Sequence, residues 1–237
     1  MPSHPVKLVG RAQVAEGTFA FHLEKPPGFT FKAGQAVVLE LLDPPAQDGQ
    51  KRRTFSVASA PHESGLMIAT RMRDSAFKRA LQALPDGAPI KLAGPIGRFT
   101  LAGNRPGVFI AGGIGITPFL SMLRQAAHER SPERLALVYS NRRPEDAAFL
   151  EELQQLEERN EKFRMLATMT DMGGSSLKWN GPTELLNAQL VQRAAAGFVA
   201  PVYYVVGPPG MVLAVQETLR GAGVVDEDIR SEEFYGY

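Results

Sequence analysis

The chain has 237 residues and contains no cysteine. This absence excludes disulfide bridges, thiolate nucleophiles and cysteine-ligated iron–sulfur clusters on the chain itself. The formal net charge is only +1, so the overall charge gives no attraction to nucleic acid or to an anionic membrane surface. No apolar run reaches the roughly 20 residues that span a bilayer, and no export signal is visible at the start. We therefore expect a globular cytoplasmic protein that binds neither nucleic acid nor membrane.

Other kinds of active site are also poorly supported. The four histidines, at positions 4, 22, 62 and 128, show no metal-ligand spacing, so we expect no metal site. The sequence has neither a P-loop nor a nucleophile elbow. It also has no internal repeat and no low-complexity tract. The function must therefore be inferred from local patterns in an otherwise ordinary globular sequence.

Short strand-like segments dominate the first hundred residues. Turn signals rich in proline and glycine separate them, and one helix, predicted over 75–84 with Ser75 as its N-cap, interrupts them. This spacing predicts an antiparallel β-barrel. The predicted strands are 6–9, 18–23, 35–41, 53–58, 66–70 and 89–92.

Strands alternate with helices in the second half, which predicts an α/β domain with a parallel sheet. A turn-rich connector at 103–107 separates the two patterns, so we divide the chain into domains 1–102 and 103–237. Ligands of such sheets bind beyond the carboxyl ends of the strands. The predicted strands are 108–111, 135–139, 163–168, 202–206 and 228–233, and the predicted helices are 118–130, one opening at Pro144, 183–196 and 211–220.

A glycine-rich turn, Gly112-Gly113-Ile114-Gly115-Ile116-Thr117-Pro118, follows the first strand of this second domain. The glycines permit a sharp turn and a close approach of a ligand to the backbone amides. Thr117 is predicted as the helix N-cap and Pro118 as the first helical residue. A helix N-terminus attracts anions, and a dinucleotide pyrophosphate is a common ligand there. A purely structural turn explains these residues about as well.

Two further segments contain residue types that could bind a cofactor. In Arg52-Arg53-Thr54-Phe55-Ser56 an arginine can bind a phosphate, an aromatic ring can cover a flat heterocycle, and a hydroxyl can bond to a ring nitrogen. Taken alone, this segment is better explained as an edge strand with a solvated arginine and a core phenylalanine. The loop Ser140-Asn141-Arg142-Arg143 lacks the acid expected for a ribose diol, which mildly favours NADPH over NADH. An exposed basic loop is the alternative.

Taken together, these segments resemble the ferredoxin–NADP reductase superfamily, whose members join a flavin-binding barrel to a nicotinamide-dinucleotide domain. The resemblance covers essentially the whole chain, in the family's motif order. The flavin motif R-x-Y-S is matched by Arg53-Thr54-Phe55-Ser56, and the motif G-P-x-G-x-F by Gly94-Pro95-Ile96-Gly97-Arg98-Phe99. The glycine-rich turn resembles the family's G-G-x-G-x-T-P. Near the C-terminus, C-G-P-P-x-M is matched by Gly207-Pro208-Pro209-Gly210-Met211, and an acid-x-aromatic motif by Glu232-Glu233-Phe234.

This resemblance implies roles for individual residues. Arg53 would bind flavin phosphate, Phe55 would pack on the isoalloxazine, and Ser56 would lie near flavin N5. Thr117 would lie beside the nicotinamide. The residues with implied catalytic roles are Ser56, Thr117, Glu232 and Phe234. The remaining implied cofactor-binding residues are Thr54, Thr70, Arg71, Met72, Ser75, Gly112, Gly113, Gly115, Pro118, Ser140, Arg142, Gly207, Pro208, Met211 and Tyr237.

The sequence departs from the family pattern at three places. Phe55 replaces a tyrosine, which loses a hydroxyl but keeps the ring face. Val206 stands where many members have a cysteine next to the nicotinamide. The tail continues past Phe234, so either Phe234 or Tyr237 is expected to cover the flavin.

The resemblance also implies the activity. We expect an FAD-dependent NAD(P)H oxidoreductase, with FMN less favoured, that moves a hydride from nicotinamide C4 to flavin N5. Because the chain has no cysteine, its electron acceptor should be a separate molecule. A ferredoxin or flavodoxin is the first choice. An oxygenase component, or small acceptors of a diaphorase or flavin reductase, are alternatives. A non-catalytic module without cofactor is disfavoured, since Arg53 and the glycine-rich turn are intact.

Overall fold

The structure is a computed structural model that describes residues 3–42 and 51–235. The first part of the chain forms β1 (Ser3–Ala15), β2 (Thr18–Glu24), β3 (Ala36–Leu41), β4 (Arg52–Ser56), β5 (Gly65–Arg71), α1 (Ala76–Ala83) and β6 (Pro89–Ile96). The second part forms β7 (Gly107–Gly112), α2 (Ile116–Glu129), β8 (Leu135–Asn141), α3 (Leu150–Arg159), β9 (Phe163–Met169), α4 (Ala188–Ala195), β10 (Val202–Gly207), α5 (Pro209–Gly221) and β11 (Ile229–Glu233). Short 3-10 turns cover Gly113–Gly115, Pro144–Asp146, Met172–Gly174 and Asp226–Asp228.

The first sheet is the predicted antiparallel one, with strand order β4-β3-β6-β1-β2-β5. In β3 every second residue is buried, and Val37, Leu39 and Leu41 lie in the core. The helix α1 covers one end of this core with Phe77 and Leu81. Its N-cap is Ser75, as predicted from the sequence, and the Ser75 side chain accepts a hydrogen bond from the Lys78 amide.

The second sheet is parallel, with strand order β11-β10-β7-β8-β9. The central strand β7 is buried along its whole length, which explains its unbroken apolar sequence. Parallel pairing brings the carboxyl ends of all five strands to one edge. The residues at that edge are Gly112, Asn141, Met169, Gly207 and Glu233.

The start of α2 differs from the sequence prediction. The N-cap is Gly115, and Thr117 and Pro118 are the second and third residues of the helix. The reason is that the 3-10 turn Gly113–Gly115 continues directly into the helix, which therefore begins earlier. Instead of capping, the Thr117 hydroxyl donates to the Ile114 carbonyl at 3.1 Å. Pro118 is tolerated because amides of the first turn have no partner within the helix.

Two other helices, in contrast, begin later than predicted. Residues Pro144–Asp146 form only a 3-10 turn, and α3 begins at Leu150, after Phe149 in the left-handed region at φ 62°. The helix predicted over 183–196 begins at Ala188, because Asn187 caps it by accepting a hydrogen bond from the Leu190 amide at 2.9 Å.

The two sheets share a continuous apolar core. Phe99, which follows β6, packs against Phe119 of α2 and Tyr204 of β10, with ring centroids 5.8 and 5.6 Å apart. The buried Ser121 hydroxyl in α2 donates to the Ser59 carbonyl of the barrel at 2.7 Å. The predicted division at residue 102 falls between β6 and β7. This core holds the two sheets in one relative position.

Within the described ranges, 3–42 and 51–235, none of the helices has the length and apolar character needed to cross a membrane.

The glycine-rich turn packs directly on β10, which generates a stability prediction. A Cβ at Gly115 would lie 2.4 Å from the Val206 carbonyl oxygen, and backbone cannot move aside as a side chain can. We expect Gly115→Ala to destabilise the protein by about 2 to 3 kcal/mol, measured by urea unfolding. The control is Gly210→Ala in α5, where a Cβ meets nothing within 4 Å and helix propensity should be neutral to favourable. Equal stabilities of the two variants would contradict this packing argument.

Candidate active site

A cavity of about 790 Å³ lies where the first sheet meets the carboxyl edge of the second. Both edge strands of the antiparallel sheet line it, through residues 53–56 of β4 and 69–71 of β5. The other walls are the N-terminus of α1, Ile114 and Thr117 of the glycine-rich turn, and residues 232–235. The cavity therefore brings together segments from both halves of the chain.

One end of the cavity is cationic. Arg53, Arg73 and Lys78 line it beside Ser75, the N-cap of α1. Burial lowers the pKa of Lys78, and the positive charges of Arg73 and Arg53 lower it further, which shows that the cations crowd one another. The lining carboxylate of Asp74 pairs with Arg79. Clustered cations at a helix N-terminus fit a bound phosphate or diphosphate.

The middle of the cavity has a flat aromatic wall. The Phe55 ring is half-buried and rests on Phe77, with centroids 6.0 Å apart and planes inclined by 33°. The Arg53 guanidinium lies 5.7 Å from the centre of the same Phe77 ring, so Arg53 and Phe55 share one face of β4. A ring supported in this way, in a cavity that Ile96 also lines, is suited to pack on a planar heterocycle.

The opposite end carries hydroxyls and a carboxyl group. Ser56 and Thr117 line the cavity although they are only 6% and 2% exposed. Glu232 lies beside Gly97, since a Cβ at Gly97 would be 4.0 Å from a carboxylate oxygen of Glu232. Burial raises the pKa of Glu232 to about 7. This end therefore offers two hydroxyls and a carboxyl group that exchanges its proton near neutral pH.

The C-terminal segment closes one side of the cavity. The Phe234 amide donates to the Gly207 carbonyl at 2.9 Å, which attaches the tail to the end of β10. Phe234 packs against the shared core and lines the cavity, and the more exposed Tyr235 follows it there. Tyr237 lies outside the described residues.

Several predicted residues lie outside this cavity, around the ends of β7 and β10. A Cβ at Gly112 would lie 2.4 Å from the Met211 sulfur, and one at Gly207 would lie 2.5 Å from the Met211 Cε. Pro208 belongs to the same cluster, because its Cδ would lie 3.1 Å from a Cβ at Gly112. Close packing therefore explains these glycines, and contact with a dinucleotide stays a prediction for them.

The other residues of the glycine-rich turn fix its backbone conformation. Gly113 has a φ of +54°, a conformation that glycine adopts without strain. Gly115 packs on Val206, which is fully buried, and Pro118 is buried in the first turn of α2. These residues aim Ile114 and Thr117 at the cavity.

The residues at the end of β5 and just after it lie in different environments. Thr70 and Arg71 line the cavity, whereas Met72 packs on the barrel core and its amide donates to the Gly17 carbonyl at 2.7 Å. Arg71 also forms an ion pair with Asp146 of the second domain, at 2.8 Å. The side chain of Met72 therefore takes no part in the cavity.

The loop after β8 lies at the sheet edge but does not line the cavity. Ser140 is half-buried there. Arg142 is 67% exposed and pairs with Asp171, itself 50% exposed, at 3.0 Å. Arg143 is engaged with Asp146 and Glu16. Arg142 is thus the arginine of this loop that reaches outward to solvent.

Lys78 and Tyr235 also line the cavity, although neither was among the residues predicted from the sequence. For Lys78 a signal did exist. It stands three residues after the predicted cap Ser75, so the first helical turn places both on the side that faces a helix-terminal anion.

Comparisons with known proteins agree with this architecture. The family model for an oxidoreductase NAD-binding domain matches residues 109–217. The chain is 32% identical over 216 residues to ferredoxin–NADP reductase B of Sorangium cellulosum, covering 87% of this chain and 86% of that protein. It is 30% identical over 226 residues to the glycine betaine monooxygenase reductase subunit of Pseudomonas aeruginosa, covering 92% of this chain but 60% of that longer protein.

A solved structure shows the same fold. The crystal structure of a ferredoxin NADP+ reductase from Neisseria gonorrhoeae, with bound FAD and NADP, matches with a TM-score of 0.83 at 22% identity. The match covers 98% of each chain.

The buried carboxyl group of Glu232 generates a pH-dependent prediction. Its pKa is about 7 in the folded chain, against an ordinary value of 4.5 for a solvated glutamate, so the unfolded chain loses this proton first as the pH rises. Stability should therefore fall between these two pH values, and Glu232→Gln should remove that loss. We expect the variant to match the wild type at pH 4 and to exceed it by about 1 to 2 kcal/mol at pH 8.5, since partial exposure screens the effect.

The measurement is urea unfolding of the flavin-free protein across this pH range, with Glu233→Gln as the matched control. If the free energy of unfolding of Glu232→Gln differed from that of the wild type by the same amount at every pH, the pKa of this carboxyl group would not be raised.

Proposed function

This chain belongs to the ferredoxin–NADP reductase superfamily, and we propose that it oxidises NADPH through a bound FAD and passes the electrons to a separate redox protein. The observation that carries the proposal is the cavity at the junction, with its cationic end, its aromatic wall and the pair Ser56 and Thr117. Its relatives in this family are flavin-dependent oxidoreductases, and the chain is a flavin-dependent NAD(P)H oxidoreductase as they are.

The residues of the cavity fit FAD. Arg53, Arg73, Lys78 and the N-terminus of α1 would hold the phosphates, and Phe55 would pack on the ring system. The presence of three cations at this end favours a diphosphate, and hence FAD over FMN. When bound, the flavin supplies the redox chemistry by accepting a hydride and releasing electrons singly.

The side chains of the protein would position the two cofactors and hold or release a proton. We assign Ser56 to a hydrogen bond with flavin N5 and Thr117 to the nicotinamide side, because these two buried residues line the cavity from opposite domains. Phe234 would shield the ring from water. Glu232 would hold or release a proton near the same end, since its pKa of about 7 keeps both forms populated at neutral pH.

The role of Ser56 generates a kinetic prediction. Ser56→Ala should retain FAD but lower the rate of flavin reduction by NADPH about 10- to 100-fold, because a hydrogen bond at the reacting position is lost. Anaerobic stopped-flow absorbance measures this rate. The matched control is Ser59→Ala, a buried barrel serine whose hydroxyl bonds to the Met67 amide instead. Reduction of the Ser56 variant at the wild-type rate would disprove the assignment.

Arg142 supports the finer proposal that NADPH is preferred over NADH. It is exposed at the edge where the dinucleotide ribose is expected, and residues 140–143 include no acid. Arg142→Ala should lower kcat/KM for NADPH about 10-fold and change that for NADH less than about 2-fold. Arg220→Ala, which removes an exposed arginine paired with Asp226, is the control. An unchanged ratio of the two substrates would reject a 2′-phosphate site at Arg142.

A ferredoxin or flavodoxin is the proposed acceptor. The similarity to ferredoxin–NADP reductase B, which this chain covers over 86% of its length, favours it. The similarity to a monooxygenase reductase subunit favours an oxygenase component as the second candidate. Salt-sensitive reduction would distinguish a docked protein from free quinone or flavin as acceptor. The cytoplasmic location stays a prediction.

A further inference from the structure

A buried ion cluster joins the two domains beside the cavity. The Asp146 side chain is 3% exposed and accepts hydrogen bonds from Arg71 at 2.8 Å and from Arg143 at 3.0 Å. Arg71 ends β5 of the barrel, whereas Arg143 and Asp146 belong to the loop after β8. One carboxylate therefore holds an arginine from each domain.

The cluster extends to the turn between β1 and β2. Arg143 pairs with Glu16 at 2.9 Å and also donates to the Gly174 carbonyl at 3.1 Å. The Glu16 amide donates to the Glu145 carbonyl at 2.7 Å. The loop after β8 is thus attached to two separate parts of the barrel, at Glu16 and at Arg71.

Arg71 links this cluster to the cavity. It lines the cavity, and its carbonyl accepts a hydrogen bond from the Lys78 ammonium at 2.8 Å. A continuous path of polar contacts therefore runs from the cationic end of the cavity through Arg71 and Asp146 to Arg143, next to Arg142.

The cluster is electrostatically consistent with an ionised Asp146. Burial alone raises the pKa of this carboxyl group, but the hydrogen bond from Arg143 and the charges of Arg71 and Arg143 outweigh burial and lower it overall. A neutral amide at this position would keep the shape and lose the attraction to both arginines.

We propose that Asp146 is a positioning residue that holds the dinucleotide-binding loop 140–146 at the distance from the barrel that hydride transfer requires. The proposal rests on the proposed function, because it needs a flavin on one side and a nicotinamide on the other. Asp146 itself does not line the cavity. Its effect would come through alignment, where an error of about 1 Å can cost about 100-fold in rate.

The test is Asp146→Asn, purified with FAD and mixed anaerobically with NADPH. We expect the limiting rate of flavin reduction to fall at least about 10-fold, with FAD content and the NADPH dissociation constant within about 3-fold of wild type. The charge-transfer absorbance that reports stacking of nicotinamide on flavin should weaken in parallel. A merely structural role would lower the melting temperature and leave the limiting rate and this absorbance unchanged, which would overturn the proposal.

The matched control is Asp228→Asn. Asp228 also accepts two hydrogen bonds from one arginine, Arg105 at 2.7 and 2.8 Å, but both residues belong to the second domain. It should reduce flavin at the wild-type rate, and an equal defect in both variants would also overturn the proposal.

A second variant keeps the proposal testable if Asp146→Asn does not fold. Arg71→Lys keeps a positive charge next to the cavity but shortens the reach to Asp146, so it should show a smaller defect of the same kind. A wild-type rate in this variant would count against the proposal. If the wild type binds no FAD or is not reduced by NADPH, the proposed function fails instead, and the two failures are therefore distinguishable.

Discussion

The site depends on one contact, the apolar packing of the barrel against the parallel sheet. Phe99 lies between Phe119 and Tyr204, and the Tyr204 hydroxyl accepts a hydrogen bond from the Ala102 amide at 2.7 Å. This contact sets the open edges of the antiparallel sheet opposite the carboxyl edge of the parallel one. The cavity lies in the resulting junction, so neither domain could form it alone.

Within that frame the charges are separated along the cavity. Arg53, Arg73 and Lys78 gather at one end, where α1 begins, and Glu232 lies at the other end in a setting that favours its protonated form. A diphosphate at the first end would neutralise crowded cations. The second end would then receive the ring that exchanges electrons and protons. The proposed orientation of FAD rests on this separation, and the buried Arg71–Asp146 ion pair links the cationic end of the cavity to the loop after β8.

Local patterns in the sequence predicted the fold well. Turn signals on either side identified β3, Ser75 identified the start of α1, and the apolar run of β7 indicated a buried parallel strand. The start of α2 was predicted wrongly, because the energy of a 3-10 turn that runs into a helix is not visible in residue preferences for caps. Motif matching supplied Arg53, Ser56, Thr117 and Glu232, which the structure brings to one cavity.

Long-range pairing was beyond the sequence. Asp146 lies 75 residues from Arg71, and nothing in the local pattern of either shows that they meet. For the same reason the sequence could not reveal that Gly112 and Gly207 make room for Met211. Such contacts depend on the tertiary packing of the helices and strands, and they determine which predicted residues face the cavity.

The most direct test of the account is an anaerobic titration of the purified protein with NADPH, followed by visible absorbance. The account predicts a yellow protein with one FAD per chain whose flavin absorbance is bleached by a stoichiometric amount of NADPH. A protein that stays colourless after incubation with FAD, or a bound flavin that neither NADPH nor NADH bleaches, would contradict it.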